Sequence, residues 1–158
     1  MNIMYMTLKA IKHIHKKGIY HRDIKPENIL IDSRQEKLKI IDFGLARNVT
    51  ETYESKNIIA GTSLYMPPEV YEGRGSNESY SPAGDIFALG NMMYYLFSGI
   101  LPFDGSDVEE NVCEDFVSFP DDLWMNVDVD GRFLISEMLK KKPHKRITAE
   151  KALNHEFF

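Results

Sequence analysis

The chain has 158 residues, 43% hydrophobic and 27% charged, which describes about one ordinary globular domain and excludes a disordered or fibrous chain. A formal net charge of −5 lacks the basic footprint of a nucleic-acid or anionic-membrane binder, and the single cysteine, Cys113, excludes an intrachain disulfide. No apolar run nears the roughly 20 residues of a membrane span; the longest, Phe87 to Phe97, is broken by Gly90 and Asn91.

In chain order, Met4, Leu8, Ile11 and His15 fall at helical spacing, with Lys9, Lys12, Lys16 and Lys17 elsewhere around the wheel and Gly18 as the closing residue. Asn28 to Asp32 and Leu38 to Asp42 read as strands joined by the polar turn Ser33 to Glu36, which together predict a hairpin. Gly44 to Pro68 has little periodicity, and a loop of that length in a compact domain points to function. Pro82 to Ser98 reads as a buried helix, apolar nearly all round, stopped by Gly99. Gly99 to Asp107 is turn-rich. An amphipathic helix is expected over Arg132 to Lys141, with Pro143 ending it, and a last short helix over 149–155 behind a Thr148 cap. The expected fold class is therefore mainly α with one small β-hairpin. Lys140, Lys141 and Lys142 read as a solvated helix end, Glu109, Glu110, Glu114 and Asp115 as surface, and Cys113 as inert.

The chemistry concentrates in one run, His21-Arg22-Asp23-Ile24-Lys25-Pro26-Glu27-Asn28, placed between the first helix and the first strand, with Asp42-Phe43-Gly44 at the end of the second strand. Asp23, Asn28 and Asp42 are oxygen ligands or bases, and Lys25 is a point cation. A hairpin carries Asn28 and Asp42 to the same end, an arrangement that suits a hard divalent ion on a polyphosphate. Asp23 and Lys25, alternating on the preceding loop, would face the same space.

These residues resemble the catalytic loop and metal-binding motif of eukaryotic protein kinases. Further motifs follow in the same order: Gly61-Thr62 with Tyr65-Met66-Pro67-Pro68-Glu69, Asp85 to Gly90, Gly99 to Phe103, Arg146-Ile147-Thr148, and Ala152 to His155. Pro67 stands where the family usually has Ala, and Phe87 where it has Trp. Lys25 resembles the serine/threonine type, and the tail resembles calcium/calmodulin-regulated and calcium-dependent kinases. The resemblance covers essentially residues 1–158, as the C-terminal (large) lobe, without the glycine-rich loop, strand lysine and helix glutamate of the N-terminal β lobe. It divides the chain into a first helix, a catalytic loop, an activation segment over 42–69, a buried helix over about 83–98 and late helices over about 132–158.

The resemblance implies a role for each matching position. Asp23 would take or orient the proton of the substrate hydroxyl, and Lys25 would neutralise charge on the γ-phosphoryl of ATP. Asn28 and Asp42 would hold Mg²⁺, Leu30 would lie beneath the adenine, and Thr62 would position Asp23 and Lys25. His21, Arg22, Phe43, Gly44, Asp85, Glu69 and Arg146 would be structural: His21 and Phe43 stacked on a spine anchored by Asp85, Glu69 paired with Arg146. Arg22 would receive a phosphate from the activation segment. The usual acceptor position aligns with Ile58, leaving Thr50, Thr52, Tyr53 and Ser55 upstream.

The implied function is serine/threonine phosphorylation of a protein substrate, with ATP and Mg²⁺ bound weakly on this lobe alone and an N-lobe or partner kinase acting in trans. No nucleic acid beyond ATP and no membrane are expected as partners, and the cytoplasm is the default location. The alternative is a non-catalytic module, docking through the Phe103–Trp124 region and the activation segment, or a gene fragment. Leu30 and Phe43 would be exposed on the face that normally meets the N-lobe. Val127 to Gly131 resembles a calcium loop only superficially and lacks its remaining ligands.

Overall fold

The computed structural model describes residues 2–48, 61–73, 81–104, 107–114 and 116–158. Helix α1 spans Ile3–Lys16. The Asn2 side chain accepts the Tyr5 N–H at 3.1 Å to start it, and Met4, Thr7, Leu8 and Ile11 form its buried stripe. Gly18, at φ 72°, lets the chain turn away. Strand β1 (Ile19–Tyr20) then leads into the run from His21, which closes in a 3-10 turn over Pro26–Asn28.

Strands β2 (Ile29–Asp32) and β3 (Lys37–Ile40) form the hairpin, in the register Ile29↔Ile40 to Asp32↔Lys37. Asp32 Oδ1 accepts the N–H groups of Arg34 and Gln35, which fixes the turn. The strands are narrower than the sequence suggests. Asn28 belongs to the preceding 3-10 turn, and Asp42 lies beyond β3 with φ 60°, a left-handed backbone that ends the ladder. A second small sheet pairs β1 with β4 (Arg47–Asn48). The sequence reading missed it because each strand has two residues and the pairing is long-range. Residues 49–60, which include Thr50, Thr52, Tyr53, Ser55 and Ile58, lie outside the described residues.

After α2 (Pro68–Glu72), α3 runs over Pro82–Ser98. Pro82 occupies its first turn, and Gly99 at φ 76° ends it. Its residues Asp85 to Tyr94 are all buried, whereas Tyr95, Leu96 and Phe97 emerge at the surface, so only the first two thirds of the helix is enclosed. Two short helices follow that the sequence reading did not foresee, α4 (Val108–Glu114) and α5 (Asp121–Trp124). Their acidic first turns, Glu109-Glu110 and Asp121-Asp122, suit the positive end of a helix dipole. Phe103 and Trp124 are core residues, 3% and 0% exposed. Trp124 packs 4.6 Å from the Tyr94 ring and 4.8 Å from Phe119. The two aromatics bounding the proposed docking region are therefore unavailable to a partner.

Helix α6 covers Val129–Met138, three residues earlier at each end than expected, because Asp128 caps it by accepting the Asp130 N–H at 2.8 Å. That cap accounts for the superficially calcium-like aspartate. Pro143 opens a 3-10 turn rather than ending α6. Lys141 is not a solvated helix end: its Nζ donates to the Val112 carbonyl at 2.6 Å and lies 4.0 Å from the Phe103 ring centroid. Helix α7 (Ala149–Leu153) starts at the Thr148 cap and packs on α1, where Lys12 and Glu150 pair at 2.9 Å.

One ion pair ties the end of the 61–73 stretch to the late helices. Arg146 Nη1 and Nη2 each donate to one Glu69 carboxylate oxygen at 2.7 Å. Its remaining donors reach the carbonyls of Lys140, Ala83 and Lys141, and its guanidinium carbon lies 5.0 Å from the Phe87 ring centroid. A buried guanidinium requires this saturation, since an uncompensated buried charge costs several kcal/mol, about 3–5. The described residues are thus mostly helical, with two small antiparallel sheets, and none of their helices is long and apolar enough to cross a membrane.

Gly90 sits where α3 crosses α6: a Cβ there would lie 2.8 Å from Leu139 Cδ2 and 2.9 Å from Met138 Cβ. Gly90→Ala should therefore destabilise by about 1–3 kcal/mol, although alanine is the better helix former. In thermal denaturation the melting temperature should fall by roughly 2–4 °C per kcal/mol; an unchanged or higher value would contradict this packing.

Candidate active site

The site is built on one carboxylate. Asp85, in the first turn of α3 and 2% exposed, accepts the backbone N–H of Arg22 through Oδ1 at 2.9 Å and that of His21 through Oδ2 at 2.9 Å. His15 Nε2, from α1, lies 2.8 Å from the same Oδ2. Arg22 has φ 72°, a conformation that costs a non-glycine residue of order 1–2 kcal/mol. The bond to Asp85 holds it there.

His21 is fully buried and works in two directions. Its Nε2 donates to the Ile41 carbonyl at 2.9 Å, while Nδ1 accepts the Asp23 N–H at 3.3 Å, a pair of contacts that places the ring proton on Nε2. The ring meets Phe43 edge-on, with centroids 4.8 Å apart. His21 thereby links the loop over 21–28 to the stretch after β3. Phe43 itself is 45% exposed, and Leu30, opposite Lys39 in the hairpin, is 53% exposed.

Asp23, Lys25, Asn28 and Thr62 meet in one network. Lys25 Nζ lies 2.8 Å from Asp23 Oδ2 and donates to Thr62 Oγ1 at 2.7 Å. Asp23 Oδ1 accepts both the Thr62 N–H at 3.0 Å and its hydroxyl at 2.8 Å. Asn28 Nδ2 donates to the Asp23 carbonyl at 2.7 Å and to Oδ2 at 3.2 Å. Burial pushes the Asp23 carboxyl up, but hydrogen bonds from Lys25 and Thr62, with the Lys25 charge, outweigh it and hold the group below its ordinary value of 3.8. The carboxylate is thus kept ionised with its oxygens directed by donors. Gly61, at φ 123°, brings Thr62 in: a Cβ there would stand 2.8 Å from the Arg22 carbonyl oxygen.

Asp42 is not part of that network. Its Oδ1 accepts the Gly44 N–H at 3.2 Å, capping the 3-10 turn Phe43–Leu45. It is tied to the loop indirectly, because the Ile41 N–H donates to the Asn28 carbonyl at 2.9 Å. With Nδ2 committed to Asp23, the Asn28 amide has its carbonyl oxygen left for a ligand, and Asp42 is solvent-exposed. Two such oxygens fit Mg²⁺, which takes one or two protein carboxylates or carbonyls and completes its shell with phosphates and water. Among the described residues no group of three or more His, Cys, Asp or Glu is arranged to hold a metal ion. Glu69 and Arg146 stand apart, as the ion pair between α2 and the residues preceding α7. Burial, aided by Glu72 and Glu109, pushes the Cys113 thiol up, away from the reactive thiolate.

His15 is the residue that sequence reasoning missed. Its signal was present, as a polar ring on the otherwise apolar stripe of α1, but its partner lies 70 positions away.

Comparison with known proteins gives this geometry a family. The protein kinase domain matches residues 1–158. The chain is 34% identical over 157 residues to serine/threonine-protein kinase dkf-1 of Caenorhabditis elegans, covering 97% of this chain and 21% of that protein. It is 38% identical over 160 residues to calcium-dependent protein kinase 6 of Plasmodium berghei, covering 99% of this chain and 10% of that protein. It is 36% identical over 153 residues to the calcium/calmodulin-dependent protein kinase type II alpha chain of Drosophila melanogaster, covering 94% of this chain and 28% of that protein. The chain spans between about a tenth and a third of the length of such curated relatives. With the match running from first residue to last, the chain belongs to the protein kinase domain family.

Proposed function

We propose that the chain is the C-terminal lobe of a serine/threonine protein kinase and supplies the catalytic floor for transfer of the ATP γ-phosphoryl group to a protein hydroxyl. The observation that carries this reading is the Asp23–Lys25–Thr62 network, an ionised carboxylate and an ammonium held within 2.8 Å of one another at the surface of a rigid loop. A paired base and cation at that separation can serve the two ends of one reaction.

In that reaction the substrate hydroxyl oxygen bonds to the γ-phosphorus as the bond to the β–γ bridging oxygen breaks, ADP leaves, and the hydroxyl proton passes to Asp23. Lys25 offsets charge on the moving phosphoryl oxygens, and Thr62 keeps both side chains in register. Mg²⁺, held by Asn28 and Asp42, would neutralise and orient the phosphates. Leu30, exposed beside the loop, offers an apolar surface to the adenine. Such catalysis is mainly positioning and electrostatics, so it depends on excluding water. An N-lobe, joined to this chain or supplied in trans, would provide that cover over Leu30 and Phe43. The alternative, a non-catalytic module of the same fold, would need none of these catalytic side chains. Retention of Asp23, Lys25, Asn28 and Asp42 together favours the enzyme.

The test is phosphate transfer from Mg²⁺·ATP to a basic serine/threonine peptide, with and without an added kinase N-lobe, using the chain, Asp23→Asn and Asp42→Ala. Each substitution should lower the rate by at least about 100-fold while circular dichroism shows a folded protein. Transfer unaffected by both substitutions, or no nucleotide binding at millimolar ATP in either setting, would sink the catalytic reading.

The Asp23 carboxyl also sets a pH dependence. Its folded-state value is depressed, so the stability from its contacts is fully present above the ordinary value of 3.8 and is lost as pH falls through the folded value. The stability difference between the chain and Asp23→Asn, from urea unfolding, should be flat above about pH 5 and shrink below about pH 4. A difference that changes near neutrality would show that another group governs it.

A further inference from the structure

Beneath the catalytic loop, between the 61–70 stretch and α3, lies a cavity of about 20 Å³. Its lining includes Asp23, Thr62, Asp85, Met66 and Val70, with Ser81 at the start of α3. The Ser81 hydroxyl is buried and makes no hydrogen bond. It stands at the N-cap position of α3, yet its side chain caps no N–H. A buried hydroxyl without a partner, in a pocket that two aspartates also line, calls for one. The volume suits one water molecule, which needs roughly 10–15 Å³ and two to four polar partners.

We propose that this cavity holds one ordered water, bound by the Ser81 hydroxyl and by polar groups of the catalytic loop and Asp85, and that Ser81 is thereby a positioning residue for the loop. The water joins the first turn of α3 to the same Asp85 carboxylate that receives the His21 and Arg22 N–H groups. It satisfies the hydroxyl, and the apolar side chains of Met66 and Val70 line the same pocket. This inference rests on packing and hydrogen-bond accounting, and it stands whether or not the chain transfers phosphate.

The sign of a single substitution separates the two states of the cavity. If the hydroxyl is truly unpartnered, Ser81→Ala removes a buried polar group and raises or leaves unchanged the melting temperature. If it holds a water, the same change strips an anchor and should lower the melting temperature by roughly 2–4 °C. Water–protein cross-relaxation in NMR supplies the direct readout. A long-lived water signal to the protons around Ser81 is expected in the unsubstituted chain and should be lost in Ser81→Ala. Absence of that signal in the unsubstituted chain, its persistence in Ser81→Ala, or an unchanged or raised melting temperature would each overturn the proposal.

Discussion

The buried carboxylate of Asp85 is the constraint on which the site depends. Two consecutive backbone N–H groups, those of His21 and Arg22, point at its two oxygens, and a histidine from α1 closes on the same group. A carboxylate receiving such bonds is strongly favoured over one left alone in an apolar core, where desolvation would cost several kcal/mol. The exchange is reciprocal. Asp85 is tolerable in the middle of the structure because the loop supplies donors, and the loop can hold Arg22 in a left-handed conformation because Asp85 accepts from it. Three segments, α1, the loop over 21–28 and α3, are locked at one point.

From that point order spreads outward through specific bonds. His21 passes it to Ile41 and Phe43 beyond the hairpin, and so to the vicinity of Asp42. Asp23 passes it to Thr62, which brings in the far end of the segment that begins at Asp42. The Glu69–Arg146 pair then fixes the next stretch to the late helices, with the guanidinium bonded to one carboxylate and three carbonyls. Desolvation offsets much of what these buried polar contacts gain, but each would be costly if one partner were removed. The apolar core around α3, with Trp124, Phe87, Leu89 and Met93 buried, supplies the bulk of the cohesion. The polar contacts decide which arrangement that core adopts.

Much of this was legible in the sequence where a local rule sufficed. Pro82 and Gly99 bracket α3, and the polar turn Ser33 to Glu36 marks the hairpin. The run from His21 to Asn28 stood out through its residue types, and the roles expected of it came from its resemblance to protein kinases. What escaped was set by tertiary contact or by very short range. Helices α4 and α5 have seven and four residues, too few for a periodic signal. Strands β1 and β4 have two residues each and pair across the intervening hairpin. Asp128, in a run with only a superficial calcium-loop likeness, is a helix cap, and Lys141 read as solvated but is drawn inward by a carbonyl and an aromatic face. His15 lay on a helical stripe whose other members are apolar, and only the position of Asp85 gives it a role.

Native-state hydrogen exchange on Asp85→Asn tests this dependence most directly. An amide can no longer offer two charged acceptors, so protection of the His21 and Arg22 N–H groups should fall by about 10–100-fold, corresponding to charged hydrogen bonds of roughly 1.5–3 kcal/mol. Protection through the buried part of α3 should fall much less. Unchanged protection at His21 and Arg22 would show that the loop holds its own shape, and that Asp85 is merely accommodated beneath it.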